Sequence, residues 1–337
     1  TITLLSTDNT FDDLTISAGT VTLATAVVVT NALTISGGTF AKSTFAITSA
    51  GSLTMSGGDL TSTSGAVAIT GAVNISSALS AIDFGSETWT ISGAWTNAST
   101  DGTVWEAGSG TITFDSATGG TMTFAGSNLA EAEFNNVTFN SSAVASQTFT
   151  MATRGLSWSG TLTITGDTIL AKATFTLGAE ASGALTVGGA GTNALTSTSG
   201  AVTVTTVSIS GTGDYIDLGS EAWTVSGTWT NATTSASWDT GTGTVTFTSA
   251  TGGTMTWGNP GEAEFNDVSF TPSSGTPTFT SSTNNLRAIG TVAVSTSATL
   301  AMGTLNIEFD RLDVNGTMTM DGITIPNIDI DGSAGVI

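Results

Sequence analysis

Apolar and polar positions alternate along nearly the whole chain. Short triplets place a Thr between two apolar residues, as in Leu33-Thr34-Ile35, and Gly, Ser, Asn or Ala separates one triplet from the next. An alternation with a period of two is typical of a β-strand with one buried face, so we predict that the apolar pair points inward and the Thr outward. No stretch of ten or more residues has the spacing of an amphipathic helix. The pattern therefore predicts an all-β chain.

One long stretch occurs twice. The range 82–139 contains Trp-Thr-Ile-Ser-Gly-Ala-Trp-Thr-Asn, then Gly-Thr-Ile-Thr-Phe, then Phe-Asn-Asn-Val-Thr-Phe, and the range 216–270 repeats these segments in the same order with small changes. Similar segments begin at Leu33 and Leu162, so the range 1–59 resembles the back part of a further copy. We predict a single body over 1–337, made of a partial repeat (1–59) and two copies (60–194 and 195–337).

Two architectures fit such a series of short strands. The first is a right-handed parallel β-helix, or β-solenoid, with roughly 15 coils and a length on the order of 70 Å or more at about 4.8 Å per coil. The second is a set of tandem β-sandwiches, one for each repeat. We favour the β-solenoid, because sandwich strands are usually longer and a domain boundary near positions 190–200 would show a linker.

Composition excludes several classes of function. The 337 residues include no Cys and no His, so disulfides, zinc sites built on these residues and His-based catalytic triads are ruled out. The net charge is −21, with 26 acidic against five basic residues, so we expect no binding to nucleic acid. No apolar run approaches the ~18 residues expected of a membrane span, so we also expect no transmembrane segment.

Several carboxylates recur with the repeat. Asp83 and Glu87 return as Asp217 and Glu221, and Glu133 returns as Glu264. A pair of carboxylates could serve a polysaccharide-active enzyme. An active site is usually present once, however, and no Lys or Arg lies near these residues in the sequence. We therefore interpret them as turn or solvent-facing structural groups, and we expect no catalytic residue, no cofactor and no metal site.

Three other motifs invite a ligand. Paired Trp residues, at 89 and 95 and again at 223 and 229, could stack on sugar rings, but core or corner packing is the favoured interpretation. Asn97 and Asn231 are equivalent sequons and candidate glycosylation sites. The segment Asp329-Ile330-Asp331-Gly332-Ser333 faintly resembles a calcium loop without its later ligands, so a plain turn is preferred.

Rows of outward Thr also suggest binding to ice. A flat solenoid face with regular Thr rows would meet that requirement. We expect the Thr spacing to drift with coil length and large aromatic residues to interrupt the rows, so Thr is better interpreted as an uncharged β-former.

A family resemblance agrees with the solenoid. The segments 223–231, 243–247, 265–270, 305–307 and 314–318 resemble the β-helical repeats of large secreted adhesin-like and filamentous surface proteins of bacteria and archaea. The resemblance covers nearly the whole chain. It implies export, display outside the cell or on its surface, and an adhesive or scaffolding role, with no shared catalytic residue.

Together these features predict an extracellular structural protein that stacks end to end into a filament or surface layer. The partner would be a second copy of the chain, and a divalent cation such as calcium is a candidate bridge between acidic sides. The alternative is an adhesin or glycan-binding shaft of a larger surface protein; a polysaccharide-active enzyme or an ice-binding protein ranks lower. The predicted subunit contacts are Thr1, Ile2, Thr3, Leu4, Ile323, Ile325, Ile328 and Ile330.

Overall fold

The computed structural model is an all-β chain whose parallel strands stack in coils, forming a β-solenoid of about 13 turns. Among the described residues, no helix is long and apolar enough to cross a membrane. The structure describes residues 1–4, 9–49, 51–78, 80–100, 105–125, 132–143, 145–179, 183–258, 263–320 and 323–336. Within these ranges, the side chains are described everywhere except at 49, 179 and 323–336.

The chain divides into two compact units, residues 1–170 and 171–337. Each unit is described by itself below, and the repeat boundaries at 59/60 and 194/195 remain sequence-based predictions. The strands up to the division, of which β20 contains the division point, are β1 (Ile2–Leu4), β2 (Asn9–Ile16), β3 (Thr20–Leu23), β4 (Val27–Ile35), β5 (Thr39–Ser43), β6 (Ile47–Ser49), β7 (Ser52–Met55), β8 (Asp59–Ser62), β9 (Val67–Ile69), β10 (Val73–Ile75), β11 (Ala81–Ile82), β12 (Thr88–Ile91), β13 (Trp95–Asn97), β14 (Thr111–Asp115), β15 (Gly120–Thr123), β16 (Asn136–Asn140), β17 (Gln147–Met151), β18 (Leu156–Trp158), β19 (Thr161–Ile164) and β20 (Thr168–Ala173).

The second unit continues in the same style of short strands. Its strands are β21 (Leu177–Ala179), β22 (Ala184–Val187), β23 (Ala194–Ser197), β24 (Val202–Val204), β25 (Thr206–Ile209), β26 (Tyr215–Ile216), β27 (Trp223–Val225), β28 (Trp229–Asn231), β29 (Thr244–Phe247), β30 (Gly253–Thr256), β31 (Asp267–Phe270), β32 (Thr278–Thr283), β33 (Leu286–Arg287), β34 (Thr291–Val294), β35 (Thr299–Gly303), β36 (Ile307–Met320) and β37 (Ile323–Val336).

The pairing pattern confirms the predicted fold class and shows that the β-sandwich alternative is wrong. In the first unit β7 pairs in parallel with β4 and with β10, so each coil is bonded to the coil before and the coil after it. In the second unit β27 pairs in parallel with β24 and with β29. A sandwich would need antiparallel ladders throughout. Among the described strand pairs within each unit, only β36 and β37 are antiparallel.

Buried side chains form columns that run through the coils. Leu33, Leu53, Val73 and Trp95 occupy one column in successive strands, and each is fully buried. In each strand the residues of the column alternate with outward Thr or Asn, as the triplet pattern predicts. Removal of these apolar faces from water is the main stabilising contribution, at roughly 25 cal/mol for each Å² buried.

Coils lengthen along the first unit, which explains why there are about 13 turns and not the predicted 15 or so. One early coil leads from Leu53 to its partner Val73, and a later one leads from Ile112 to its partner Val137. The later coil is the longer of the two. Loops at the coil corners hold the extra residues, so the strands themselves stay in register.

Candidate functional site: two buried lysine–glutamate pairs

Lys42 and Lys172 occupy inward positions at the ends of their strands. Each is fully buried, and the residue after it, Ser43 or Ala173, has a positive φ of 55° or 52°. This left-handed residue turns the chain at a corner, and the N–H two residues further on then donates to the lysine carbonyl, from Phe45 at 3.1 Å in the first unit. The same corner is present in both units.

The carbonyl groups around each ammonium group form a cage. Lys42 Nζ donates to the backbone oxygens of Phe45 at 3.1 Å, Ser64 at 2.5 Å and Gly65 at 2.6 Å. Lys172 makes the same three bonds, to Phe175, Ser199 and Gly200, at 3.0, 2.6 and 2.7 Å. Three fixed acceptors match the three protons of an ammonium group, so the cage selects the charged lysine.

A glutamate completes each cage. Lys42 Nζ lies 3.1 Å from Glu87 Oε1, and the two side chains are 0% and 2% exposed. The hydroxyl of Ser62 also donates to this oxygen, and Trp89 Nε1 donates to it at 3.3 Å. Burial lowers the pKa of Lys42, while the charge of Glu87 opposes that shift. Removing both groups from water is costly, so the pair depends on every one of these contacts.

The second unit repeats the pair with nearly the same partners. Lys172 Nζ lies 3.0 Å from Glu221 Oε1, and Ser197 donates its hydroxyl to that oxygen. Burial likewise lowers the pKa of Lys172. The Trp differs, because Trp223 Nε1 donates to the carbonyl of Leu218 at 3.2 Å. Among the described side chains, Glu87 Oε2 and Glu221 Oε2 are buried without a hydrogen-bond partner.

An Asp-x-Gly turn positions each glutamate. Asp83 Oδ1 accepts a hydrogen bond from the N–H of Gly85 at 2.8 Å, and Gly85 has a φ of 61°. A Cβ at Gly85 would collide with Glu87 Oε2, so a glycine is required both for the conformation and for the space. The equivalent Asp217 is half-buried, and burial raises its pKa.

The predicted roles of these carboxylates therefore need one correction. Asp83 and Asp217 are turn groups, as predicted from the sequence. Glu87 and Glu221 do not face solvent. Each is buried against a lysine on a strand that lies several strands earlier in the chain. Each glutamate has a buried lysine of opposite charge as its partner, so the pair connects one coil to another.

A second pair of carboxylates, those of Glu133 and Glu264, is also buried. Glu264 Oε1 accepts from Trp229 Nε1 at 2.7 Å and from Asn231 Nδ2 at 2.9 Å, and Oε2 accepts from the N–H of Gly258 at 2.9 Å. Burial raises the pKa of Glu264 to about 7, although the three hydrogen bonds favour the charged form. Trp238 Nε1 donates to the Glu264 carbonyl at 2.8 Å.

Glu133 occupies the equivalent position in the first unit. It accepts from Trp95, Asn97 and the N–H of Ala125 at 3.3, 2.7 and 2.9 Å. The described side chains therefore contain this arrangement twice. In each copy one glutamate connects a strand to a backbone N–H that follows a later strand, and both of its carboxylate oxygens accept hydrogen bonds inside the protein.

The proposed glycosylation sites are in the core. Asn97 and Asn231 are both 0% exposed, and their amide nitrogens donate to Glu133 and Glu264. Asn97 stands in register with the buried Ile75, so the period of two places it inward. The structure does not present either amide to a glycosylating enzyme in the folded chain.

The four repeated Trp residues are also inside. Each is 0% exposed, in agreement with the core interpretation and not with a sugar-stacking surface. Trp95 packs edge-on against Phe114 and Phe134 at centroid distances of 5.9 and 5.5 Å. Trp229 makes the matching contacts with Phe247 and Phe265 at 6.3 and 5.3 Å. Edge-to-face pairs add to the stabilisation from burial.

The predicted subunit contacts lie on β1 and β37, except Thr1, which directly precedes β1. Ile2 is 63% exposed, and β1 is bonded to β3. The side chains of Ile323, Ile325, Ile328 and Ile330 lie outside the described part of the structure, as does the side-chain geometry of the calcium-loop resemblance at 329–333. The backbone of β37 pairs with β36. Within the described residues no group of three or more Asp or Glu side chains is arranged to hold a metal ion.

No family model matches the chain, and neither a curated protein nor a solved structure matches it.

Sequence reasoning missed the two lysines, although a signal was present. Ala41-Lys42-Ser43-Thr44-Phe45 and Ala171-Lys172-Ala173-Thr174-Phe175 share Ala-Lys-x-Thr-Phe, and these are the only two Lys residues of the chain. A charged residue repeated in a chain so poor in cations indicates a fixed partner of opposite charge. The same repeat contains a Glu at equivalent positions, 87 and 221.

Proposed function

We propose that the protein is an extracellular structural protein whose copies associate through strand edges into a filament or surface layer. The proposal rests on the unpaired edge of strand β1. Within the described residues β1 is bonded along one edge only, to β3, and Ile2 on this strand is 63% exposed. An unpaired strand edge with an exposed apolar side chain is a template for pairing with another chain.

A second edge is available on β37. This strand pairs antiparallel with β36, and the described strands include no partner for its other edge. A contact between β1 of one copy and β37 of the next would be heterologous, so it need not close into a ring. The proposal therefore keeps the contacts predicted from the sequence, which lie at positions 1–4 and 323–330.

The interior supports a structural role and not a catalytic one. The repeated glutamates Glu87, Glu221, Glu133 and Glu264 are engaged by lysines, amides or indoles inside the coils, and the repeated Trp residues are buried. We propose that the protein is not an enzyme. The acidic exterior would limit lateral bundling of filaments unless a divalent cation such as calcium bridges the sides.

Imaging and light scattering over a range of concentrations test the assembly. We expect negative-stain images of the purified chain to show filaments that lengthen with concentration, and Ile2→Lys to shorten them. Ile289→Lys is the matched control, because Ile289 is also exposed, at 56%, but does not lie on β1 or β37. Single short particles at every concentration would refute polymerisation and leave an adhesin or glycan-binding shaft as the better assignment.

An activity screen tests the absence of catalysis separately. The intact chain is incubated with a panel of polysaccharides, and new reducing ends are measured. We expect none above the buffer level. Turnover that follows the protein through purification would overturn the non-catalytic part of the proposal without affecting the assembly part.

A further inference from the structure

One outward surface of the first unit is a regular array of threonines. Strands β12, β14, β16 and β19 each begin with two outward residues separated by one buried residue, and β14 and β16 each present a third outward residue, Asp115 and Asn140. Seven of these eight positions are Thr, and the eighth is Asn136. The array consists of Thr88, Thr90, Thr111, Thr113, Asn136, Thr138, Thr161 and Thr163.

The rows are in strict register. Thr90 pairs with Thr113, Thr113 with Thr138, and Thr138 with Thr163, without a bulge in any of the three ladders. The sequence-based expectation that the Thr spacing drifts with coil length is therefore wrong here. Corner loops hold the extra residues, so neighbouring rows stay about 4.8 Å apart and the two residues of one strand about 6.6 Å apart.

No aromatic residue interrupts the array. The large residues of these strands, Trp89, Phe114 and Phe139, alternate with the Thr residues and are 0% exposed. The second reason for setting ice binding aside is therefore also wrong. Thr is branched at Cβ and has few rotamers, so each hydroxyl and methyl group is held in a defined position above a rigid core.

The hydroxyl groups of the array have no partner in the protein. Within the described residues, none of the seven Thr hydroxyls forms a hydrogen bond to another protein group, whereas Asn136 is fixed by its Oδ1, which accepts from the Thr161 N–H at 2.9 Å. All eight side chains are partly or fully exposed. The hydroxyls are therefore free to bond to water, in a two-dimensional pattern set by the strands.

The eight side chains of the array carry no charge, in a chain whose net charge is −21, and the one acidic residue of these four strands, Asp115, lies at the margin of the array beside Asn140. We propose that this face binds the surface of an ice crystal. Crystalline water is an uncharged lattice of hydrogen-bond donors and acceptors, and regularly spaced hydroxyls with methyl groups between them complement it without any desolvated charge. A charged macromolecule would find at most one charge on this face, that of Asp115 at its margin, so ice is preferred over such a partner.

The second unit contains a natural comparison surface. The equivalent strands β27, β29, β31 and β34 carry four Thr residues at the eight outward positions, and the rest are Ala222, Ser269, Ala293 and the carboxylate of Asp267. This face has the same register, but only five of its eight positions carry a hydroxyl and the Asp267 carboxylate lies within the rows. The proposal therefore assigns ice binding to the first unit alone.

Ice-affinity partition and thermal hysteresis of the full chain test the proposal. We expect the wild-type chain to enter a growing ice front and to separate the freezing and melting temperatures. Thr113→Lys should lose both effects, because a charged side chain breaks the array at its centre. Thr246→Lys is the matched control in Gly-Thr-Val-Thr-Phe of the second unit and should keep both.

Circular dichroism distinguishes loss of the array from loss of the fold, since an outward substitution should leave the melting temperature unchanged. A wild-type chain excluded from ice would overturn the proposal. Equal losses in Thr113→Lys and Thr246→Lys would overturn its assignment to this face. Retention on crystalline cellulose or chitin with exclusion from ice would also overturn it, and would assign the array to a polysaccharide surface.

Discussion

Lys42 Nζ lies 3.1 Å from Glu87 Oε1, although the two residues are far apart in the sequence, and both side chains are buried. The contact links β5 to the turn that precedes β12. Because the same contact joins Lys172 to Glu221, the second unit repeats both the strand pattern and the charge pair within it.

We predict that Lys42→Met is strongly destabilising. It leaves the Glu87 carboxylate buried without a cation, which typically costs about 3–5 kcal/mol. Urea unfolding at pH 7 measures the effect. The double variant Lys42→Met/Glu87→Leu should recover much of the loss, since it removes the stranded charge. A single variant within about 1 kcal/mol of the wild type would show that the pair does not hold the coils together.

We predict that Gly85→Ala costs more than Gly19→Ala. Both glycines have a positive φ, of 61° and 71°, so each substitution incurs the conformational penalty of about 1–2 kcal/mol. Only at Gly85 would the new Cβ also press against the Glu87 carboxylate, whereas nothing lies within 4 Å of it at Gly19. Equal unfolding free energies for the two variants would refute the steric part of this argument.

We predict that Glu264 makes the fold less stable as pH rises from about 4.5 to about 7. Burial raises its pKa to about 7 from an ordinary value of 4.5, so the folded chain binds this proton more tightly than the unfolded chain. The stabilisation from this proton is fully present below the pKa of Glu264 in the unfolded chain and is lost above its pKa in the folded chain. Its size is on the order of a few kcal/mol.

The measurement is the unfolding free energy of wild type and Glu264→Gln across that pH range. Asp217, whose pKa is also raised by burial, acts in the same direction in both proteins and cancels in the comparison. We expect the difference between the two proteins to change with pH. A constant difference would show that Glu264 has an ordinary pKa in the folded state.

We predict that the sequons Asn97 and Asn231 carry no glycan in folded protein secreted from a glycosylating host. Both amides are buried and bonded to a glutamate. Asn315, in an Asn-Gly-Thr sequon with an exposed side chain, is the internal control and should be modified. Peptide mass spectrometry measures how much of each of the three asparagines carries a glycan. Glycan on Asn97 in the soluble, folded fraction would contradict the position of this side chain.

Local alternation in the sequence determined the strands and their inward faces. Trp89, Trp95 and Leu33 are buried where the period of two predicts, because the side chains of a β-strand must alternate between its faces. Applied to Trp95-Thr96-Asn97, the same rule predicts that Asn97 points inward. The interpretation of Asn97 as a glycosylation site did not take this rule into account. The absence of His and Cys was likewise a property of composition alone.

Only the tertiary structure decided which residues of different coils lie next to each other. Corner loops change the coil length from one coil to the next, so no fixed spacing in the sequence relates Lys42 to Glu87 or aligns Thr113 with Thr138. Backbone hydrogen bonds between parallel strands set that register, and the corners take up the excess length. The buried charge pairs and the threonine array both follow from this register, and neither can be read from the spacing of residues along the chain.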